Sequence, residues 1–368
     1  MAGFTLAIWN IEWCDRLVDA LEEAQGDALA KAEARRDAIA AEIAALDADI
    51  LVVTEGPRGE ARAEAFFAAV APHHRLVLRG DPDGKSYGTL GQQWIWFLIR
   101  DASGIEGSLL HIDRWNELTA AESLGHYDRR WNVAMPRFVK EDGTLRFDPE
   151  RSHGHYRHPQ LLLARLGDFR FEVIGAHLKS KHIGMSTPRA AGEPGFFKAN
   201  PEFVAKVVEA RAKLSTEATS IRHYIDARFR ENAEFPVILA GDLNDGPGKE
   251  RIEEQFLLHD LISVLQGEVF FARRFLNHAL FDFGEDQRWT VQFDDRLDPR
   301  RAREILLDHV MFSQAFTGSA RRGSAPFRAP PGGGFVAHEA HHAANAGLPR
   351  GLVTSDHRPV VMRFDARD

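Results

Sequence analysis

Strand-length apolar runs in this chain end repeatedly on a side chain with an oxygen or nitrogen to offer. Residues 4–11, FTLAIWNI, carry Asn10; residues 48–56, ADILVVTEG, stop at Glu55, Gly56 and Pro57; residues 169–177 end on His177; residues 235–242, FPVILAGD, end on Asp242. Residues 305–313 hold Asp308 in the run LLDHV, and Asp356 and His357 stand just before the last apolar run, 359–364. Short β-branched runs bounded by turn residues read as buried strands. Rigid strands hold ligands from distant positions better than loops do, so such a chain is expected to gather these strand ends along one edge.

Between the runs, residues 27–46 place Ala and Ile at helical spacing among charges, and residues 201–232 form a long helical pattern with Asn200 as cap and Pro201 in the first position. Residues 75–79 and 93–100 are further strand candidates, and residues 158–165 and 169–177 form a hairpin about Gly167 and Asp168. The whole reads as α/β with antiparallel content. A length of 368 residues could hold one large or two ordinary domains, but no repeat and no linker between two cores is visible, so one catalytic domain over 1–368 is expected. Three stretches near 101–156, 182–200 and 314–350 lack a sustained period and read as inserted loops or small excursions.

Composition acts mainly by exclusion. A formal net charge of −8 repels phosphate polymers, so any nucleic-acid binding must come from a local basic patch. The single cysteine, Cys14, rules out an intramolecular disulfide and suits a small buried hydrophobe. No run approaches the roughly 20 apolar residues of a membrane span, and no basic segment precedes the first apolar run, so a cytoplasmic address is expected. No protein partner is inferable.

Asp242 and Asn244 lie two residues apart after a buried strand. An amide can hold a water or a phosphate oxygen while a neighbouring carboxylate takes a proton from that water, although Asp, Asn and Gly after a strand more often make a plain turn. Asp308 sits in a core-like run where an unpaired carboxylate is costly; His357 could be its partner, and a satisfied core carboxylate is the alternative. His177 with Lys179 and Lys181 suits a phosphate oxyanion, or is an ordinary solvated strand end. Asn10 and Glu12 share a strand face, and together with Glu55 they make an oxygen-only set that prefers magnesium or manganese to zinc.

Read in order, WNIE, VVTEG, RHP, GAHLKSK, AGDLND, LLDHV and SDHRP resemble the motifs of the endonuclease/exonuclease/phosphatase superfamily, which contains deoxyribonuclease I. The matches run from residue 9 to residue 359. The resemblance implies a four-layered α/β sandwich: two packed, largely antiparallel sheets with helices outside and the site at one sheet edge. It implies Mg2+, or Mn2+, with Glu55 as main ligand and Asn10, Glu12 and Asp356 nearby. Asp242 would orient or deprotonate the attacking water, Asn244 would position the phosphate, His357 would contact it, and Asp308 would orient His357. His177 resembles a second phosphate-contacting imidazole, and Arg157 a phosphate-facing arginine. Glu12 departs from the family pattern, being longer than the aspartate usual there.

The family's chemistry transfers better than its substrates, which range from nucleic acids to lipid-derived phosphates. A phosphodiesterase acting on DNA or RNA is the leading expectation. Arg114, Trp115, Arg129, Arg130, Trp131 and Arg137 could track a backbone and stack bases, or could simply pack their tryptophans and solvate their arginines. A phosphomonoesterase acting on a small or lipid-derived phosphate is the alternative, and a non-catalytic binding module of the same fold is the third reading.

Overall fold

The computed structural model describes residues 3–120, 126–127, 130–256, 258, 260–298, 302–317 and 325–367, except for the side chains of Ala120, His126, Tyr127, Arg130, Arg189 and Arg350. The central strands form two sheets. The first runs in the order Phe327–Arg328, Val360–Ala366, Phe4–Asn10, Ile50–Gly56, Trp94–Arg100, His74–Leu76, with Gly334–Val336 also paired to Val360–Ala366. The second runs in the order Asn277–His278, Asp308–Phe312, Val237–Asp242, Phe169–His177, Gln160–Leu166, Ile105–Leu109.

Side-chain alternation sorts each strand's residues between two seams. Leu6, Ile8, Val52, Phe97, Val173, Ala240, Val310 and Val360 meet between the sheets. Ala7, Trp9, Leu51 and Val53 face the other way, onto Ile39 and Ile43 of the helix Asp27–Leu46 and Phe67 of the helix Glu60–Val70. Ile174, Leu239 and Met311 face Leu214, Ile221 and Ile225 of the long helix Pro201–Glu231. Helix, sheet, sheet, helix makes four layers, so the chain is a four-layered α/β sandwich. Each buried large apolar side chain contributes about 1.5–3 kcal/mol, and a one-residue slip would send a whole strand's set to the wrong seam.

Neighbouring strands are antiparallel except for one central pair in each sheet: Phe4–Asn10 with Ile50–Gly56, and Phe169–His177 with Val237–Asp242. Parallel strands end at the same edge, which sets Asn10 beside Thr54 and His177 beside Asp242. The antiparallel neighbour adds Asp308 opposite Asp242. Gly241 permits this close approach, because a Cβ there would lie 2.1 Å from the Ala176 carbonyl oxygen.

The stretch 101–156 is more than loops. Ile105–Leu109 is an edge strand of the second sheet, Ile112–Ala120 is a helix, and Arg130–Val139 pairs with Thr144–Gly154 in a long hairpin. Most of Thr144–Gly154 is exposed, so it lacks the apolar alternation by which a half-buried strand is read. Trp115 is buried and stacks on Tyr224 at 4.2 Å between ring centroids, so it is not free for a base. Trp131 packs on the rings of His153 and His155, Arg114 pairs with Glu117, and Arg137 is exposed; Arg129 and the side chain of Arg130 lie outside the described residues. Residues 182–200 hold two short helical pieces, Arg189–Gly192 and Phe196–Ala199. The stretch 314–350 supplies the edge strands Phe327–Arg328 and Gly334–Val336 and the helix His338–Ala344. No helix among the described residues is long and apolar enough to cross a membrane.

Candidate active site

The alternation that builds the seam between the sheets also aims the site. Asn10 is in phase with Ile8, His177 with Val173, Asp242 with Ala240 and Asp308 with Val310, so all four point between the sheets at the edge where their strands end. Asn10 Nδ2 donates to Asp242 Oδ2 at 3.0 Å and to Glu55 Oε1 at 3.3 Å. His177 Nε2 lies 3.5 Å from Asp242 Oδ2 and 3.8 Å from Glu55 Oε1. Glu55 is out of phase: alternation would send it with Val53 toward the helices. A register shift between Val53 and Gly56, with Glu55 at φ 58°, re-aims it, and its second oxygen accepts the Trp13 N–H at 2.8 Å.

His357 Nδ1 donates to Asp308 Oδ2 at 2.7 Å. Asp308 is fully buried, and Thr290 Oγ1 fixes its backbone by accepting the N–H groups of Leu307 and Asp308 at 3.0 and 3.2 Å. Ser355 Oγ accepts the His357 N–H at 2.9 Å and donates to the Asn10 carbonyl at 2.6 Å, while Trp9 Nε1 donates to the His357 carbonyl at 3.1 Å. Ser355 stood in the motif SDHRP with no role assigned to it, and Thr290 did not stand out in the sequence.

The environment drives the two imidazoles apart. Burial alone would lower His357, but Asp308 and then Asp242 outweigh it and push the imidazole up to about 10. Burial, then Arg157, holds His177 well below its ordinary value. Near neutrality one ring is an imidazolium and the other is neutral. Burial, with Asp308 adding to it and His357 opposing, raises Asp242 above the usual carboxylate range.

Backbone strain concentrates here. Of the five non-glycine residues with positive φ among those described, Glu12, Trp13, Glu55 and Asn244 belong to the site or its rim. Such conformations cost about 1–3 kcal/mol each and persist only where the surroundings over-determine them. Arg35 Nη2 is one such restraint, donating to Ile11 O at 3.2 Å, Glu12 O at 2.6 Å and Thr354 O at 3.0 Å. It ties the turn after the first strand to the loop carrying Asp356 and His357. Across the same gap Glu12 Oε2 accepts the Asp356 N–H at 3.2 Å; burial, then Asp356, raises the Glu12 carboxyl.

Several expected phosphate contacts are engaged elsewhere. Arg157 is buried; it donates from Nε to His177 O, from Nη2 to Leu178 O and from Nη1 to Gln93 Oε1, so it braces the strand end that carries His177 and does not face a phosphate through these groups. Asn244 donates its backbone N–H to Asp242 Oδ1 at 2.9 Å and its amide to Leu178 O at 3.0 Å. Lys179 Nζ donates to Ser180 O and His182 O. Lys181 lies within 2.5 Å of Asp245, 2.7 Å of Glu253 and 3.5 Å of Glu250, and Glu250 also pairs with Arg211. Alternation and spacing could not show these partners, because the three carboxylates lie on a later loop and helix. Removing one member of a buried ion cluster typically costs about 3–5 kcal/mol. Lys181→Met is expected to destabilise the protein by about that much in urea unfolding; a loss under about 1 kcal/mol would mean the cluster relaxes into solvent.

Two places could attract a cation. Asp242, Asp308 and His357 offer ligand atoms within 4.8 Å of one another. However, the Nδ1–H of His357 is committed to Asp308 and its imidazole is held protonated, whereas a metal needs a free ring nitrogen. Glu55 and Asn10, with the exposed Asp356 and half-buried Glu12 beside them, present hard oxygens, and each Glu55 oxygen keeps lone-pair capacity beyond the hydrogen bond it accepts from Asn10 Nδ2 or the Trp13 N–H. That donor chemistry fits magnesium or manganese.

Fold and site together define a class: a double-sheet sandwich carrying a buried carboxylate–imidazolium pair beside an oxygen-ligand cluster at one sheet edge. No family model and no curated protein matches the chain. Solved structures are similar to it throughout its length. They include truncated TDP2 from Caenorhabditis elegans, 14% identical with a TM-score of 0.49, covering 99% of this chain and 98% of that one. An endonuclease/exonuclease/phosphatase family protein from Bacteroides thetaiotaomicron is 14% identical with a TM-score of 0.48, covering 100% and 98%. TDP2 from D. rerio, in complex with a single-strand DNA product, is 11% identical with a TM-score of 0.46, covering 100% of both chains.

Proposed function

We propose that this chain is one catalytic domain of the endonuclease/exonuclease/phosphatase type, a divalent-cation-dependent phosphoesterase that hydrolyses phosphodiester bonds, acting as a nuclease in the cytoplasm. The observation that carries this reading is the pairing of opposite tools in one buried place. Asp242 is a carboxylate with raised proton affinity, and it stands beside His357, which Asp308 holds as an imidazolium. A proton acceptor next to a fixed positive charge is what attack by water on phosphorus requires.

In this reading, Asp242 accepts a proton from a water as its oxygen bonds to phosphorus in line with the leaving oxygen. The P–O bond to the leaving group breaks with its electron pair, and solvent protonates the departing oxygen. His357 donates a charge-assisted hydrogen bond to the phosphoryl oxygen as negative charge grows there. Neutral His177 offers a second hydrogen-bonding group, and Asn244 pins the turn after Asp242 to that carboxylate and to the Leu178 carbonyl. Glu55 and Asn10, with Asp356 and Glu12 nearby, would hold a magnesium or manganese ion; when bound it supplies Lewis-acid stabilisation of the same charge. Glu55→Gln should weaken magnesium binding by at least about tenfold in titration calorimetry, and unchanged affinity would take Glu55 out of the ligand set.

The function is tested by magnesium-dependent hydrolysis of single-stranded DNA, double-stranded DNA, RNA, bis-p-nitrophenyl phosphate and p-nitrophenyl phosphate, with Asp242→Asn as control. Cleavage of polymers or of the diester, lost in the control, supports the proposal. Release from the monoester alone would make the protein a phosphomonoesterase, and no hydrolysis with intact binding would make it a binding module.

A further inference from the structure

We propose that Trp13 is a stacking platform for a nucleobase at the mouth of the catalytic centre. The inference rests on the phosphodiesterase reading and extends it to the substrate's flanking group. Trp13 is among the exposed large hydrophobic residues, at 37%, although its own backbone N–H is bonded to the buried-site carboxylate Glu55 at 2.8 Å. An apolar ring of that size is thus held out to solvent within a side chain's length of the group expected to hold the cation.

The backbone makes this placement costly. Trp13 adopts φ 48° and ψ 43°, directly after Glu12 at φ 44°. Two successive left-handed residues, the second bulky, are unfavourable where glycine would be relaxed. Arg35 and the Asn10 side chain, which accepts the Glu12 N–H at 3.0 Å, hold the turn in that shape. Hydrogen bonds of the site sustain the strain, and the turn so held leaves the ring 37% exposed at the rim.

The ring is also prepared on one side. The Arg16 guanidinium lies 4.0 Å from its centroid, and among the described residues no other ring contacts it. Arginine on one face makes the indole a fixed, cation-backed plate for a planar group. Two further tryptophans beside the centre are unsuitable: Trp9 is fully buried, and Trp289 has Arg358 3.9 Å from its centroid and the His338 ring at 4.6 Å. With Trp115 buried against Tyr224, Trp13 is the better candidate for base stacking near the centre. A nucleobase fits the plate because every base has a π-face, whereas a sugar or lipid phosphate offers none.

The test uses two fluorescein-labelled ten-nucleotide single strands, one all thymine and one all abasic, with the wild type, Trp13→Phe and Trp13→Gly. Glycine relieves the left-handed backbone while deleting the ring, so this variant is expected to fold, and its melting temperature is checked. Dissociation constants come from anisotropy in EDTA, where the strands stay intact, and KM and kcat from cleavage with magnesium. The wild type is expected to bind the thymine strand about tenfold more tightly than the abasic one. Trp13→Gly should erase that preference by raising KM for the thymine strand and not for the abasic one, and Trp13→Phe should keep most of it. Equal binding of the two strands by the wild type, or a preference that survives Trp13→Gly, overturns the platform. Loss of both strands by the same factor in Trp13→Gly also overturns it, since that is the signature of a structural role. Cleavage of both strands without preference would sink the platform and leave the phosphodiesterase reading standing, whereas neither binding nor cleavage of either strand would end both.

Discussion

Replacing Asp242 with asparagine should yield a folded protein whose kcat on a phosphodiester is lower by at least about a hundredfold, the scale of a lost general base. The substitution keeps the shape and removes the basicity. Both Asp242 oxygens accept hydrogen bonds, one from the Asn244 N–H and one from Asn10 Nδ2, and an amide can answer only one of them. A modest stability cost of about 1 kcal/mol is therefore expected alongside the kinetic loss, and urea unfolding separates the two. The raised proton affinity of Asp242 gives the wild type a rate that climbs with pH on the acid side. A bound cation would pull that limb downward, because a nearby positive charge favours the carboxylate. A variant retaining more than a tenth of wild-type turnover would remove Asp242 from the role of base.

His357→Ala is the second large effect, expected to cost about 10²–10³ in kcat, as removal of a donor to a developing oxyanion does. The pH dependence gives a sharper check. The folded-state value of His357 is raised to about 10, above the ordinary imidazole value near 6.5. Its charge therefore contributes stability that is fully present below about pH 6.5 and is lost as pH rises through about 10. The rate should fall along the same alkaline limb. Asp308→Asn removes a charge that lifts both His357 and Asp242, so the alkaline limb should move toward neutrality and the acid limb to lower pH; an alkaline limb that does not move would deny Asp308 its orienting and charging role. Rates measured from pH 5 to 10.5 on one diester would decide both.

The phase of each strand was legible before any coordinates. Ile8 and Asn10, Val173 and His177, and Ala240 and Asp242 follow the period of two that any half-turned strand imposes. Once Ile8, Val173 and Ala240 must bury, the polar residues that end their strands share the same direction. The hairpin joining Gln160–Leu166 to Phe169–His177 and the long helix Pro201–Glu231 were readable for the same local reason, a tight turn in one case and a capped 3.6-residue period in the other. The solvent-exposed hairpin strand Thr144–Gly154 was not, since it carries no core-facing alternation, and the short helix Cys14–Glu23 went unread although Cys14, Leu17, Val18 and Leu21 stand at helical spacing and pack in the core.

Glu55 marks the boundary between the two kinds of knowledge. Its strand was plain in the sequence, yet its direction was not, because a bulge and a left-handed residue rotate it out of phase, and only the neighbouring strand reveals the bulge. Arg157 and Lys181 mark it as well. Their charges suggested phosphate contacts, and the fold gives them instead to carbonyls at a strand end and to carboxylates of a later loop. Sequence alone determined the central strands, the face that most of their residues bury, and that oxygen and nitrogen donors stand at their ends, because those properties depend on near neighbours and a fixed period. Tertiary structure decided which of those donors meet, which cations are already neutralised, and that His357 is charged while His177 is not, because each depends on groups tens or hundreds of residues apart brought within a few ångströms.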